Sequence, residues 1–405
     1  MEASKLKYKV SSSFLRLKDY CQFENYKGWD PYDGLNSKLF QATPLKQFSI
    51  ARLVWIQMFK RNPLNLRSLF LVPKQHNAKG IGLFLEGYCN IFQFPESETN
   101  AFGTKDEILE EINKLADLLI EMKSTGYSGA CWGYNFDWQN RETYRPSNTP
   151  TVVATSFCGE ALFKAYEITK NKDHLKTALS ACDFITNDLN RTVIDKDHFF
   201  FSYSPLDTSK VYNASLLGAK LLSIGYRYTN NSEWFDLAKK ATQTVVNSQD
   251  DDGSWIYGEH KVQTWKDNFH TGFNLECIWK VSNNLKDPSL IRSFEKGLEF
   301  YLTNFFIDGK IPKYYHNKKY PLDIHSPAQL ITTLYETNNL KNHEEIARNV
   351  MEWTLENMQN KKSGTFKYQI KYYTSSNIPY MRWAQAWMFR SFTQYISYFE
   401  YENLD

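Results

Sequence analysis

Apolar positions recur along most of this chain with the spacing of helices, in two alternating styles. In the first style, apolar and small residues surround the helix. Residues 77–92 show it with Ile81, Leu83, Phe84, Leu85, Tyr88 and Ile91, and it returns over 150–169, 213–228, 271–281, 326–335 and 383–395. Such segments leave little face for water and are predicted to be buried. In the second style one face is charged. Residues 105–122 set Ile108, Ile112, Leu115 and Leu119 among acidic positions, and 173–189, 233–246, 290–305 and 344–358 follow suit. These are predicted as amphipathic outer helices. Two further helices are predicted over 11–25 and 44–60, the latter stopped by Asn62-Pro63.

A short aromatic motif stands between each amphipathic segment and the buried one after it. Its copies are Trp132-Gly133-Tyr134, Phe201-Ser202-Tyr203, Trp255-Ile256-Tyr257, Ile311-Pro312-Lys313-Tyr314 and Phe366-Lys367-Tyr368. The steps are about 55 residues, the first nearer 70, which suits one helical hairpin plus a loop. Residues 253–260 read as a tight aromatic hairpin, and no longer strand pattern occurs. The predicted fold is therefore all-α, an (α/α)6 toroid of helical hairpins with short β-hairpins at one end. It spans residues 1–405 as one domain, with residues 1–42 as an N-terminal helix and loop forming an additional half or full unit. An open superhelix is the other arrangement, but its last repeat should be a polar cap. The C-terminal segment, with Trp383, Trp387, Phe389 and Phe392, is not polar.

The 405 residues are 42% hydrophobic and 23% charged, enough for a large core. A net charge of +3 with no prominent basic block gives no reason to expect a nucleic-acid partner. The N-terminus lacks the features of a secretory signal, and no apolar run approaches the roughly 18 residues that span a bilayer. A cytoplasmic protein without membrane insertion is expected. Its six dispersed cysteines read as reduced thiols. No HxH, HExxH or EF-hand pattern occurs, so neither a metal nor another cofactor is expected. Aromatic residues reach 16%, supplying packing and also flat platforms for ligands.

Residues 249–255 (QDDDGSW) are similar to the second half of the QW repeat of terpene cyclases, themselves rings of helical hairpins. The first half and a DxDD-like acid motif are missing, so the match concerns geometry. A broader resemblance rests on residues 29–36 (WDPYDGLN), 267–273 (DNFHTGF), 322–329 (LDIHSPAQ) and 380–387 (YMRWAQAW). These resemble bacterial polysaccharide-biosynthesis proteins of the VpsJ type. The resemblance implies a six-hairpin glycosidase-like toroid and an oligosaccharide or polysaccharide partner. That group includes glycoside hydrolases, uronate lyases and sugar epimerases.

In such a ring the starts of the inner helices and the motifs before them face one shared cavity, where helix N-termini favour anions. The catalytic candidates are His270 and His325 as acid/base groups, Asp267 and Asp323 to orient them, and Tyr257. The substrate-binding candidates are Trp132, Tyr134, Asp137, Arg141, Tyr203, Trp255, Glu259, Tyr314, Arg382 and Trp383. Simpler roles compete: Asp267 as a helix cap, Asp30 and Asp33 as turn formers, and the arginines as structural ion pairs. Histidines beside arginines suit proton abstraction next to a uronate carboxylate, as in an epimerase or lyase. An amino-sugar glycan is the alternative substrate. Two alternative activities are hydrolysis, with a carboxylate pair drawn from Asp137, Glu259, Asp267 and Asp323, and glycan binding without catalysis.

Overall fold

The computed structural model describes residues 2–99, 101–139 and 144–402. Six helices form an inner ring: α3 (Ala78–Phe92), α5 (Val152–Thr169), α7 (Tyr212–Thr229), α9 (Asn268–Leu285), α11 (His325–Glu336) and α13 (Ala386–Glu402). Each packs on the next, and α13 packs on α3, so the ring closes. Outside it lie α1 (Glu2–Phe23), α4 (Lys105–Glu121), α6 (Lys172–Asn187), α8 (Ser232–Asn247), α10 (Ile291–Asn304) and α12 (Glu344–Asn357). The N-terminal helix is not an additional unit. It packs on α13 and is the outer member of the sixth hairpin, joined last in space although first in sequence. A longer helix, α2 (Ser49–Arg61), lies between α1 and α3 in a segment with its own small core of Leu35, Phe40 and Ile56, alongside short helical turns such as Lys38–Gln41.

The hairpins turn by a repeated device. Inner helices α5, α7 and α9 end in left-handed residues, Lys170, Asn230 and Lys286. Asn171 and Asn231 then cap the outer helices α6 and α8 with their side chains. At the far end of the outer helices a tryptophan closes the last turn. Trp132 Nε1 donates to Leu119 O at 2.8 Å, and Trp255 Nε1 donates to Val245 O at 2.9 Å. Gln249, of the QW-like stretch, ties Gly253 O and Ser293 O together at 2.8 and 2.9 Å.

The expected β-hairpins are present in part. β1 (Trp138–Gln139) pairs with β2 (Tyr144–Arg145), β3 (Arg191–Val193) with β4 (Phe199–Phe201), and β5 (Phe306–Ile307) with β6 (Ile311–Pro312). A sheet of β7 (Leu322–Asp323), β8 (Gln369–Ile370) and β9 (Ser375–Ser376) crosses between two repeats. Residues 253–260 differ from the prediction. They form turns with a single bridge from Gly258 to Val211 of the preceding repeat. The run makes no ladder because its backbone groups are divided: Tyr257 N and Gly258 N donate to Trp265 O and Gln263 O of the following loop, while Tyr257 O and Glu259 N pair with the preceding repeat.

Those pairings encircle the axis. The N–H of Val152 reaches Tyr203 O, Tyr212 reaches Tyr257 O, Asn268 reaches Tyr314 O and Ile324 reaches Tyr368 O, at 2.9–3.3 Å. Met381 N extends the series across the seam to Trp29 O at 3.0 Å, making Trp29 a further copy of the aromatic motif. Gly28 permits that closure, since a Cβ there would stand 2.4 Å from Met381 Cβ.

Below the cavity the ring is filled with charge. Glu86, Glu160, Lys220 and Glu276 each stand eight residues after the first residue of their helices. Together with Lys164, Lys280, Glu336 and Arg390 they form a network. Lys220 pairs with Glu160 at 2.5 Å, Arg390 with Glu86 at 3.0 Å, and Lys164 with Glu86 and Glu336 at 2.8 and 3.1 Å. Buried charges of both signs in contact satisfy one another where an isolated charge would be very costly.

Candidate active site

A cavity of about 1090 Å³ opens at the end of the ring where the inner helices begin. Its walls carry Tyr134, Tyr203, Tyr257, Tyr314 and Trp383, so four of the five tyrosines of the aromatic motif reach the cavity. Burial holds the phenols of Tyr134, Tyr257 and Tyr314 well above the ordinary tyrosine range, leaving them as donors.

Asp267 caps α9 and positions a histidine at the same time. Its Oδ1 accepts from His270 N at 3.0 Å, while Oδ2 accepts from His270 Nδ1 at 2.7 Å and Trp265 Nε1 at 2.9 Å. Capping and histidine orientation, alternatives in the sequence, are thus one geometry. Because an ionised carboxylate only accepts, Nδ1 carries the proton and Nε2 is left for the cavity that His270 lines. Tyr257 lies against the imidazole with ring centres 4.6 Å apart, and Trp265 stacks on Tyr257 at 4.7 Å.

His325 is held differently. Its ring lies parallel to Phe269 at 4.4 Å and against Trp387 at 4.2 Å, and neither nitrogen has a hydrogen-bond partner. Burial, reinforced by Lys79, His270 and Arg382, depresses its proton affinity well below the ordinary histidine range. The imidazole is therefore neutral at pH 7. Asp323, expected to orient this ring, instead accepts from His325 N at 2.9 Å, Trp383 Nε1 at 3.0 Å and Gln369 Nε2 at 2.6 Å. It sets the backbone and Trp383, and burial pushes its carboxyl up to about 6. Phe269 lies 4.4 Å from each histidine ring, placing the two imidazoles around one aromatic spacer.

Arg382 lies on the π-helical turn Met381–Gln385 that opens α13 and lines the cavity. Its guanidinium forks onto Asp30, Nε to Oδ2 at 2.6 Å and Nη2 to Oδ1 at 2.9 Å. A substrate carboxylate would have to compete with this buried partner. Asp33 likewise holds Arg67 at 2.7 Å, so both acids of the N-terminal loop do more than form a turn. Arg145 is paired with Asp207 at 2.8 Å beneath Trp138 and Tyr203.

Trp132 and Trp255, expected on the sugar-binding face, stand behind it as the helix-closing tryptophans described above. Asp137 is occupied by Tyr144 Oη at 2.6 Å and Ser147 N at 2.8 Å. Glu259 lines the cavity and pairs with Lys210 at 2.8 Å. Arg141 lies outside the described residues.

Lys79, in the first turn of α3, was not among the predicted site residues. It is 4% exposed and lines the cavity. Its ammonium faces the rings of Phe157 at 4.1 Å and of Phe273 and Trp387 at 5.2 Å, the last two also flanking His325. Among the described residues it has no carboxylate or hydrogen-bond partner. Burial, with Arg382 and Arg390 nearby, lowers its proton affinity well below that of an ordinary lysine. The signal available in the sequence was a lone cation at the start of an otherwise apolar segment.

No family model matches the chain, and no curated protein does. Solved structures share its architecture. It is similar to a sugar epimerase from a ruminal bacterium at 14% identity and TM-score 0.60, over 81% of this chain and 90% of that one. An α-mannanase of family GH76 from Bacteroides thetaiotaomicron aligns at 15% identity and TM-score 0.61, over 81% and 88%. An unsaturated glucuronyl hydrolase specific for heparin aligns at 13% and 0.61, over 96% of each chain. The likeness establishes the toroid of helical hairpins.

Proposed function

We propose that this protein is a carbohydrate-active enzyme that moves a proton at a carbon beside the carboxylate of a uronic acid residue, as an epimerase or lyase. The observation that carries the reading is the Asp267–His270 pair, with Nδ1 held by the carboxylate and the ring lining an aromatic-walled cavity. An imidazole so oriented can take a proton and return it. His325, which burial keeps neutral and which has no partner, is the second proton carrier across Phe269. Lys79 is placed to supply the positive charge for the carboxylate, because a bound anion favours the protonated amine that burial alone disfavours, a role the sequence suggested for Arg382 and Arg141. Binding that anion gives the buried ammonium the partner it lacks, lowering the cost of its charge.

Less supports hydrolysis. The carboxylates that line the cavity, Asp207 and Glu259, are each ion-paired, while Asp267 and Asp323 are engaged behind the histidine and tryptophan rings. Neither pair is free to flank a scissile bond. The relatives in fold include proteins described as a sugar epimerase and a glucuronyl hydrolase, which agrees with a saccharide ligand. The resemblance to proteins of the VpsJ type adds a role in bacterial surface-polysaccharide synthesis, in the cytoplasm.

The test is incubation with uronate-containing oligosaccharides in deuterated water, read by NMR and ultraviolet absorbance. Deuterium at the carbon beside the carboxylate identifies epimerisation, and an absorbing unsaturated product identifies elimination. Either signal should fall by about 10²–10⁴ in His270→Gln. New reducing ends without either signal would establish hydrolysis instead. Saturable binding without any change in the saccharide would leave a glycan-binding protein.

A further inference from the structure

Eight of the seventeen large apolar side chains standing exposed among the described residues fall between Leu39 and Leu71. They include Phe48 at 59% exposure, Ile50 at 75%, Val54 at 62% and Leu64 at 68%. Ile50 and Val54 are one helical turn apart on α2 and share a face, with Arg61 two further turns along it. The opposite flank of the same helix buries Ile56 and Phe59, so the exposed face is not a face awaiting the ring core. The neighbouring loop adds two aromatic side chains, Tyr372 at 70% and Tyr373 at 90% exposure. Lys371 Nζ fixes that loop to the end of α2 through Arg61 O at 3.1 Å.

Charge separates the candidate occupants. Between Asp33 and Glu86 the chain has no acidic residue, whereas residues 38–74 carry seven lysines and arginines. Lys38, Lys46 and Arg61 are exposed. A two-fold contact with a second copy would set these cations against their own equivalents, with no acid in the segment to relieve them. A bilayer surface of anionic lipid meets both features. Its headgroups attract the cations, and its interface accepts aliphatic and tyrosine side chains to a shallow depth.

From this clustering we infer that α2 and the loop bearing Tyr372 and Tyr373 form a docking surface for an anionic membrane, lying on the bilayer without spanning it. Since α2 also contributes Leu53, Ile56, Gln57 and Lys60 to the cavity wall, docking holds that wall beside the lipid. The inference does not depend on the reaction proposed above.

Co-sedimentation of the full chain with phosphatidylcholine vesicles, with and without phosphatidylglycerol, tests it. Binding is expected only with the anionic lipid, and it should decline as salt rises. Ile50→Ser with Val54→Ser should weaken it by about ten-fold or more, and so should Lys46→Glu with Arg61→Glu. Both pairs change exposed side chains, and an unchanged thermal midpoint confirms that each variant is folded. No binding to anionic vesicles at low salt overturns the inference, as does binding that either folded double variant retains in full. A dimer in light scattering that Ile50→Ser/Val54→Ser dissociates, without vesicle binding by the parent, would assign the surface to a second copy. Capture of an acidic protein with no vesicle binding would assign it to that partner class.

Discussion

The two histidines differ because of what stands one bond away from each. Asp267 fixes the proton of His270, whereas His325 is surrounded by rings and left unbonded. Lys79 shares those rings and is the residue whose two roles pull apart most clearly. As a buried amine without a charged partner it costs stability, and in the proposed reaction it is the group that would hold the substrate carboxylate. Lys79→Met should therefore raise the thermal midpoint, with a gain of about 1–3 kcal/mol. It should at the same time weaken uronate binding by about ten-fold or more in calorimetry. A loss of both stability and binding would mean that Lys79 is part of the packing. The sequence offered His270 through its spacing from Asp267, but it could not show that Arg382 is already neutralised. Asp30 lies 352 residues away and nothing local links the two.

At the scale of elements, the alternation of wholly apolar and amphipathic segments carried the ring, because a helix with no polar face has no stable place except inside. Roles within the aromatic motif were harder to read. Tyr257 and Trp255 are two residues apart, yet one faces the cavity and the other closes α8 from behind. Strand alternation would put residues two apart on the same face; the turns of residues 253–260 break that rule and separate them. Trp255→Phe keeps the ring and removes the donor to Val245 O. The expected cost is about 1–2 kcal/mol of stability with no rise in KM, measured by thermal unfolding and steady-state kinetics. A raised KM at unchanged stability would return Trp255 to the sugar-binding face. The copy at Trp29 escaped the repeat because the α2 segment intervenes before its inner-helix neighbour α3. In that same segment the absence of a prominent basic block hides a local imbalance of charge. Acidic residues are missing between positions 33 and 86, and this absence was the stronger signal.

Across the whole molecule, the ring axis departs from the apolar interior that the inner segments implied. A residue every eighth position into separate helices is invisible to a search along one helix, yet closure brings these residues together. Glu276 sits in that network, accepting from Gln329 Nε2 and from Thr333 Oγ1, and burial pushes its carboxyl up to about 7. A folded-state value above the unfolded one favours folding at low pH, and the advantage disappears as pH rises through about 7. The thermal midpoint should fall between about pH 5 and 8, and Glu276→Gln should flatten that slope. An equal slope in both proteins would place the titration elsewhere. Closure also has a timetable. Trp29 and Asp30 leave the ribosome long before Met381 and Arg382 exist, a delay on the order of twenty to seventy seconds at ordinary rates of synthesis. Throughout that interval the nascent chain holds a carboxylate without its cation and helices with an open edge. The cavity is thus completed only after residue 382 has been made, and the unfinished ring is the form most in need of chaperones.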